Sequence, residues 1–217
     1  DDILVAPYND IEFFSQIMSE YGNEIAGVIV EPLQRIIPPK NGFLKHLRDE
    51  TSKHGSLLIF DEIVTGFRLA YGGAQELYGV TPDLCTLGKI IGGGLPLAAI
   101  AGKTDIMNHF DKNIVGAEKF TFQVGTLSGN PLASVAGLKT MEILKREGSY
   151  EKIRQNGARI MKSLSDSLKR NNIDFQIVGD PTLFDVLFTD QYVLNYRDTK
   201  KNNANKAKEF NRVVRDC

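Results

Sequence analysis

The sequence predicts an α/β fold built on a mostly parallel central sheet with helices on both of its faces. Short apolar runs without alternation, such as residues 25–30 (IAGVIV) and 57–60 (LLIF), carry this prediction. Runs of this kind are typical of strands that are buried on both faces, as in the parallel sheets of α/β proteins. Between them lie segments in which apolar residues recur every three or four positions, and these segments predict the covering helices.

The first half of the chain contains the predicted strands of this sheet. A helix is predicted to begin at Asn9, because Glu12 three residues later completes the pattern of a capping box, and to end at Tyr21. A second helix is predicted over 42–54, with Gly55 as a suitable residue to end it. The predicted strands cover residues 25–30, 57–60, 84–87 and 97–101.

The second half of the chain is predicted to be mainly helical. From Pro131 onward Leu132, Val135 and Leu138 fall on one stripe of a helix. The remaining predicted elements are a helix over 153–168, strands over 175–178 and 183–188, and a helix over 203–215. Buried strands and glycine-rich turns give way to exposed helices near Gly148, where we expect a domain boundary.

Composition excludes several classes of function. The 217 residues include 26 Lys and Arg and 27 Asp and Glu, so the net charge of −1 does not favour binding to nucleic acid or to an anionic membrane. No apolar run approaches the ~20 residues that span a bilayer, and the first residues do not form a secretory signal. We therefore expect a cytoplasmic protein. The two cysteines, a buried Cys85 and a tail residue Cys217, are not expected to form a disulfide framework or a metal site.

Two segments place reactive side chains after apolar runs. Asp61 follows the run LLIF, and ligands of open α/β sheets bind outside the carboxyl ends of the strands. Lys89 lies between a short apolar run and the glycines 92–94. Desolvation of a lysine disfavours its charged form, which makes Lys89 a candidate Schiff-base amine. Taken singly, each residue also has a simpler interpretation, a capping aspartate and a surface lysine.

A third segment resembles a phosphate site at the start of a helix. Residues 125–130 (GTLSGN) bring hydroxyl and backbone N–H donors to the helix that begins at Pro131, although an ordinary N-cap would look similar. A strand-end acid, a lysine near a glycine-rich turn and a phosphate-type helix start are together the protein groups that pyridoxal phosphate requires.

Several stretches resemble the class III, fold-type I, PLP-dependent aminotransferases, in particular their glutamate-1-semialdehyde 2,1-aminomutase-like members. The most specific are DEIVTGFR at 61–68, GKIIGGG at 88–94 and GTLSGNPLASVAGL at 125–138. The resemblance implies the PLP-dependent transferase fold type I. It also implies that residues 1–148 are the C-terminal part of the large PLP-binding domain and that residues 149–217 are part of the small α+β C-terminal domain.

The resemblance also assigns roles to residues of this sequence. Lys89 is implied to bind pyridoxal 5'-phosphate as a Schiff base and to move the substrate proton, while Asp61 pairs with the ring nitrogen. Ile63 is implied to pack on one face of the ring. Thr126 is implied to bind the phosphate of the cofactor held by the other subunit, which predicts a homodimer with shared active sites.

The sequence departs from the family pattern at two places. The Asn that usually follows the Glu-Pro pair is absent, since Glu31 is followed by PLQRIIPP, and Val64 stands where many members have Gln. The partner of the cofactor's phenolic oxygen is therefore unassigned, with Gln34 as a candidate. We give Glu31 no catalytic role.

The resemblance leaves four functions open. The first is an aminotransferase that uses an amino acid or amine and a keto acid or aldehyde. The second is an aminomutase that forms 5-aminolevulinate, which the two departures disfavour. The third is a truncated, non-catalytic relative, and the fourth is an aminotransferase domain from a biosynthetic megasynthase. Because the chain lacks an initiating Met, stops within a predicted helix and is much shorter than family members, we expect a fragment.

Overall fold

The computed structural model describes residues 2–216 and shows an α/β architecture with one four-stranded and one two-stranded sheet. Cys217 lies outside the described residues. The helices are α1 (Ile11–Tyr21), α2 (Phe43–His54), α3 (Gly73–Tyr78), α4 (Thr104–Met107), α5 (Lys112–Val115), α6 (Pro131–Leu144), α7 (Ser149–Arg170), α8 (Tyr196–Thr199) and α9 (Ala204–Asp216). The strands are β1 (Gly27–Val30), β2 (Leu57–Glu62), β3 (Leu84–Leu87), β4 (Ala99–Gly102), β5 (Gln176–Asp180) and β6 (Leu183–Leu187). Short 3-10 turns cover Lys89–Gly92 and Asn108–Phe110.

The larger sheet has the strand order β1-β2-β3-β4 and is mostly parallel, as predicted. Strands β1, β2 and β3 run parallel, whereas β4 pairs with β3 in the antiparallel direction. Strand β2 continues through Asp61 and Glu62, which were expected to end it, and β4 begins at Ala99 rather than at residue 97. The extra length of β2 places Asp61 directly opposite Thr86 of β3.

The main core lies between one face of this sheet and the first two helices. Leu58 and Phe60 of β2 are fully buried and belong to one apolar cluster with Phe14 and Met18 of α1 and Leu47 of α2. On the opposite face of the sheet, the side chains at positions 29 and 100 are 66% and 46% exposed. Helices therefore cover the sheet unequally in the part of the chain that the structure describes.

The predicted capping box at Asn9 is wrong. Asp10 caps α1 by accepting a hydrogen bond from the backbone N–H of Phe13, and Asn9 lies before the helix with a φ of 66°. The Asn9 amide instead donates to the carbonyl oxygens of Pro38 and Leu194, at 3.0 and 2.8 Å. Contacts of Asn9 with distant segments of the chain therefore outweigh the local sequence pattern that favours a helix start at this residue.

Asp83 fastens the strands of the larger sheet to one another and to α2. One carboxylate oxygen accepts hydrogen bonds from the Arg48 guanidinium at 2.8 Å and the Leu58 backbone N–H at 2.7 Å, and the other meets the Lys103 ammonium at 2.6 Å. Burial acts to raise the pKa of Asp83, but these donors outweigh it and hold that pKa below its usual value. The buried carboxylate therefore stays ionised and paired.

The second sheet, β5 with β6, shares part of the main core. Val178 and Leu187 belong to the apolar cluster that includes Leu58, while Val186 and Phe188 form a separate cluster with Leu168 of α7. The boundary expected near Gly148 falls at the start of α7. The division of the chain into two domains stays a prediction.

Helix α6 forms where the apolar stripe predicted a helix, but the side chains of that stripe do not pack on the core of the described chain. Leu132, Val135 and Leu138 are 75%, 68% and 60% exposed, and α6 instead buries Ala133 and Gly137.

None of the helices in the described part of the chain has the length and apolar character needed to cross a membrane.

Candidate active site

Two neighbouring parallel strands bring Asp61 and Lys89 to the same edge of the larger sheet. Asp61 is the fifth of the six residues of β2 and lies opposite Thr86 of β3. Lys89 follows Thr86 by three positions, just beyond the end of β3 at Leu87. Because adjacent strands lie ~4.8 Å apart, the sheet itself sets the spacing between these two chain segments.

The Asp61 carboxylate is held through only one of its oxygens. Oδ1 accepts hydrogen bonds from the Thr86 hydroxyl and from the backbone N–H of Ile63, each at 3.1 Å. Within residues 2–216, Oδ2 accepts no hydrogen bond. The half-buried carboxylate therefore has a fixed orientation and one oxygen available to a donor that is not part of the described chain.

Lys89 begins the 3-10 turn with an unusual backbone conformation. Its φ of 49° lies in the left-handed region, which residues other than glycine rarely occupy and which occurs often at functional sites. The Lys89 side chain is exposed, so the desolvation expected from its apolar neighbours in sequence is not present among the described residues. The residue before it, Gly88, packs against the side chain of Ile63, because a Cβ on Gly88 would lie only 3.1 Å from Ile63 Cδ1. The structure thus brings Ile63 beside the lysine turn.

Helix α6 supports this turn through small residues. A Cβ on Gly137 would overlap the carbonyl oxygen of Ile91, and a Cβ on Gly93 would lie 2.6 Å from the Thr140 hydroxyl. The backbone of the turn that begins with Lys89 therefore touches the helix directly. This close approach requires the absence of a side chain at Gly137.

Glu62, the residue after Asp61 and the last residue of β2, holds the loop that follows this strand. Its carboxylate is fully buried and accepts hydrogen bonds from the Thr65 hydroxyl at 3.0 Å, the Ala74 N–H at 2.6 Å and the Gln75 side chain at 3.1 Å. Successive residues of a strand point to opposite faces, so Glu62 anchors the loop in the core while Asp61 faces away from it.

Helix α7 ties the same loop to the C-terminal part of the chain. The Tyr150 hydroxyl donates to the carbonyl oxygen of Phe67 at 2.9 Å, and the Arg154 guanidinium donates to that of Leu69 at 2.7 Å. Burial raises the pKa of Tyr150 to about 12, and the nearby Glu76 adds to this rise, so the phenol keeps the proton that it donates.

The other two predicted site residues lie apart from Asp61 and Lys89 in the hydrogen-bond network of residues 2–216. Thr126 is exposed, in the turns that precede α6, where Asn130 caps the helix by accepting from the Ala133 N–H at 3.1 Å. Gln34 pairs through its backbone with Ile37, and its buried Oε1 has no hydrogen-bond partner among the described residues. The roles of both stay predictions.

Sequence reasoning did not identify Thr86 or Glu62 as part of the site. A threonine in the otherwise apolar strand LCTL was the signal for Thr86, but its partner depends on which residue of β2 lies opposite. Glu62 gave no signal beyond being next to Asp61, because the sequence does not show that β2 continues through both acids and turns Glu62 into the core.

A sequence model of one protein family, described as "Aminotransferase class-III", matches residues 3–210. The chain belongs to this family. In the described residues, no three His, Cys, Asp or Glu side chains cluster closely enough to hold a metal ion.

Comparison with known proteins shows the extent of the similarity. The glutamate-1-semialdehyde 2,1-aminomutase 2 of Brevibacillus brevis is 46% identical over 91% of this chain and 46% of its own length. The crystal structure of an omega-transaminase from Sphaerobacter thermophilus superposes with a TM-score of 0.85 at 33% identity, over 90% of this chain and 44% of that one. A structure described as a transaminase with PLP bound gives 0.77 at 27% identity, over 85% and 43%. The chain spans about half the length of the curated relatives it matches.

Proposed function

We propose that the chain is the part of a pyridoxal-phosphate-dependent aminotransferase that holds Lys89, the lysine that binds the cofactor. The observation that carries this proposal is the placement of Asp61 and Lys89 at the carboxyl ends of two neighbouring parallel strands. Membership in the class-III family and the cofactor named for one structural neighbour support it. The substrates would be an amino acid or amine and a keto acid or aldehyde.

The residues present fit this cofactor. Asp61 Oδ2 has no donor within the described chain and can accept a hydrogen bond from a protonated ring nitrogen. Ile63 offers an apolar side chain beside the lysine turn, suited to one face of an aromatic ring. Pyridoxal phosphate supplies an electron sink when it is bound. The Lys89 amine would accept a proton from the substrate carbon that carries the amino group and would return it at another atom.

Labelling of the lysine tests this proposal directly. We expect that borohydride reduction of the full-length parent protein with pyridoxal phosphate leaves a pyridoxyl group on Lys89, located by peptide mass spectrometry. A Lys89→Ala variant should carry no label, whereas Lys162→Ala, which removes an exposed lysine on α7, should be labelled like the wild type. A folded protein labelled elsewhere or not at all would contradict the proposal and favour a non-catalytic member of the family.

A second candidate function is that of a glutamate-1-semialdehyde 2,1-aminomutase. The 46% identity to the Brevibacillus protein of that name favours it, whereas Val64 and the segment around Gln34 depart from the pattern expected of such enzymes. The two functions differ in their need for a second substrate. Formation of 5-aminolevulinate from glutamate 1-semialdehyde alone would identify the aminomutase, and a strict need for an added keto acid would identify the aminotransferase.

We also propose that the parent protein is a homodimer in which Thr126 reaches the cofactor phosphate of the other subunit. The exposed apolar side chains of Leu132, Val135 and Leu138 support this, because they form a contiguous stripe on α6 close to Thr126. A cytoplasmic location remains the prediction made from composition.

Substitution within this stripe tests the dimer. We expect Val135→Glu to convert the parent protein from dimer to monomer, since a carboxylate buried in an apolar interface would lose its hydration without gaining a partner. Sedimentation velocity measures the change. Ile160→Glu places the same charge at a half-exposed apolar site on α7 and should leave the dimer intact. A Val135→Glu variant that remains dimeric would place the interface elsewhere.

A further inference from the structure

We infer that Thr86 is a positioning residue for the cofactor, which acts by selecting the oxygen that Asp61 presents to it. This inference deepens the proposed function and rests on it. It starts from the hydrogen bond between the Thr86 hydroxyl and Asp61 Oδ1 at 3.1 Å. The parallel register of β2 and β3 places the two residues directly opposite each other, so the contact follows from the sheet.

The two donors that reach Asp61 converge on the same atom. The Ile63 N–H approaches Oδ1 from the chain that continues after Asp61, and the Thr86 hydroxyl approaches it from the neighbouring strand. A carboxylate that accepts from only one side can rotate about its side-chain bonds, whereas donors on two separate segments fix the plane of the group. Oδ2 is thereby held free for a cofactor donor.

Backbone geometry alone does not provide this constraint. The Ile63 N–H lies two residues from Asp61, in the residue that directly follows β2, and therefore moves with the end of the strand that carries Asp61. Thr86 belongs to another strand, whose continuation carries Lys89 three residues later. The hydroxyl therefore links the orientation of the Asp61 carboxylate to β3, the strand that leads to Lys89. Asp61 and Lys89 are the two residues that must contact the same cofactor.

A double-mutant cycle measures whether Thr86 acts through Asp61. Valine has the shape of threonine without a donor, so Thr86→Val removes the hydrogen bond and keeps the strand propensity. We expect Thr86→Val to raise the Kd of the apo parent protein for pyridoxal phosphate about tenfold in the wild-type background. In an Asp61→Ala background the same change should alter the Kd less than about twofold, because the acceptor is gone.

Two further variants separate the hydroxyl from general effects of substitution. Thr86→Ser retains a donor, and its Kd should lie within about twofold of the wild-type value if the hydroxyl is responsible. Thr51→Val removes a buried threonine hydroxyl that bonds only to backbone carbonyls of α2, and it should leave the Kd unchanged. If Asp61→Ala binds too weakly to titrate, the comparison of Thr86→Ser with Thr86→Val decides.

The outcomes are distinct. A Thr86→Val variant with the wild-type Kd, an effect that persists in the Asp61→Ala background, or a serine variant as weak as the valine variant would each overturn the positioning role. Borohydride labelling of the wild-type protein at Lys89 is measured in the same preparation. Its failure would overturn the proposed function together with this inference, whereas labelling with an unaltered Thr86→Val Kd would overturn the inference alone.

Discussion

Replacement of Asp61 by asparagine is expected to lower the kcat of the parent protein by about a hundredfold or more. Oδ1 is fixed by the Thr86 hydroxyl and the Ile63 N–H, both of which are donors. The asparagine side chain would therefore keep its carbonyl oxygen at that place and turn its NH2 group toward the cofactor. A ring nitrogen that faces a donor cannot keep its own proton, so the electron sink would be weakened.

The two measurements that test this substitution separate binding from chemistry. Lys89 should still be labelled by borohydride at saturating pyridoxal phosphate, while kcat with the best amino donor found by screening falls. Asp105→Asn changes an exposed aspartate on α4 and should retain wild-type kcat. An Asp61→Asn variant with wild-type kcat would exclude Asp61 as the partner of the ring nitrogen.

The α/β fold, the strand that carries Asp61 and the strand that precedes Lys89 could be predicted because they depend on local patterns. A continuous apolar run predicts a buried strand, and the first polar residue after it marks the edge where ligands bind. The direction of β4 could not be predicted, since the run of residues 97–101 contains no information about direction. The same holds for the pairing of Thr86 with Asp61, which exists only once β2 and β3 align.

Local signals also failed where distant contacts outweighed them. Asn9 and Glu12 formed a convincing capping pattern, but Asn9 bonds to Pro38 and Leu194, which lie 29 and 185 positions away. The stripe on α6 correctly predicted a helix, because periodicity reports which residues share a face. It could not reveal what that face covers, and in the described chain the face is open while Gly137 packs on the lysine turn.

Replacement of Gly137 by alanine is expected to reduce labelling of Lys89 at least tenfold at a limiting pyridoxal phosphate concentration. Alanine favours a helix over glycine by ~1 kcal/mol, so α6 itself should become more stable. The added Cβ, however, would overlap the carbonyl oxygen of Ile91 and lie 3.0 Å from Leu97 Cδ2. Backbone cannot yield as a flexible side chain does, and the turn that begins with Lys89 would have to move.

The opposing signs of these two effects make the substitution informative. Ser134→Ala, on the exposed side of the same helix, should increase helix stability without altering labelling. If Gly137→Ala retains its circular dichroism and thermal midpoint but loses labelling, the contact between α6 and the turn positions the lysine. Wild-type labelling of Gly137→Ala would show that the turn can shift away from the helix at no cost to Lys89, and the position of the lysine would then be set by β3 alone.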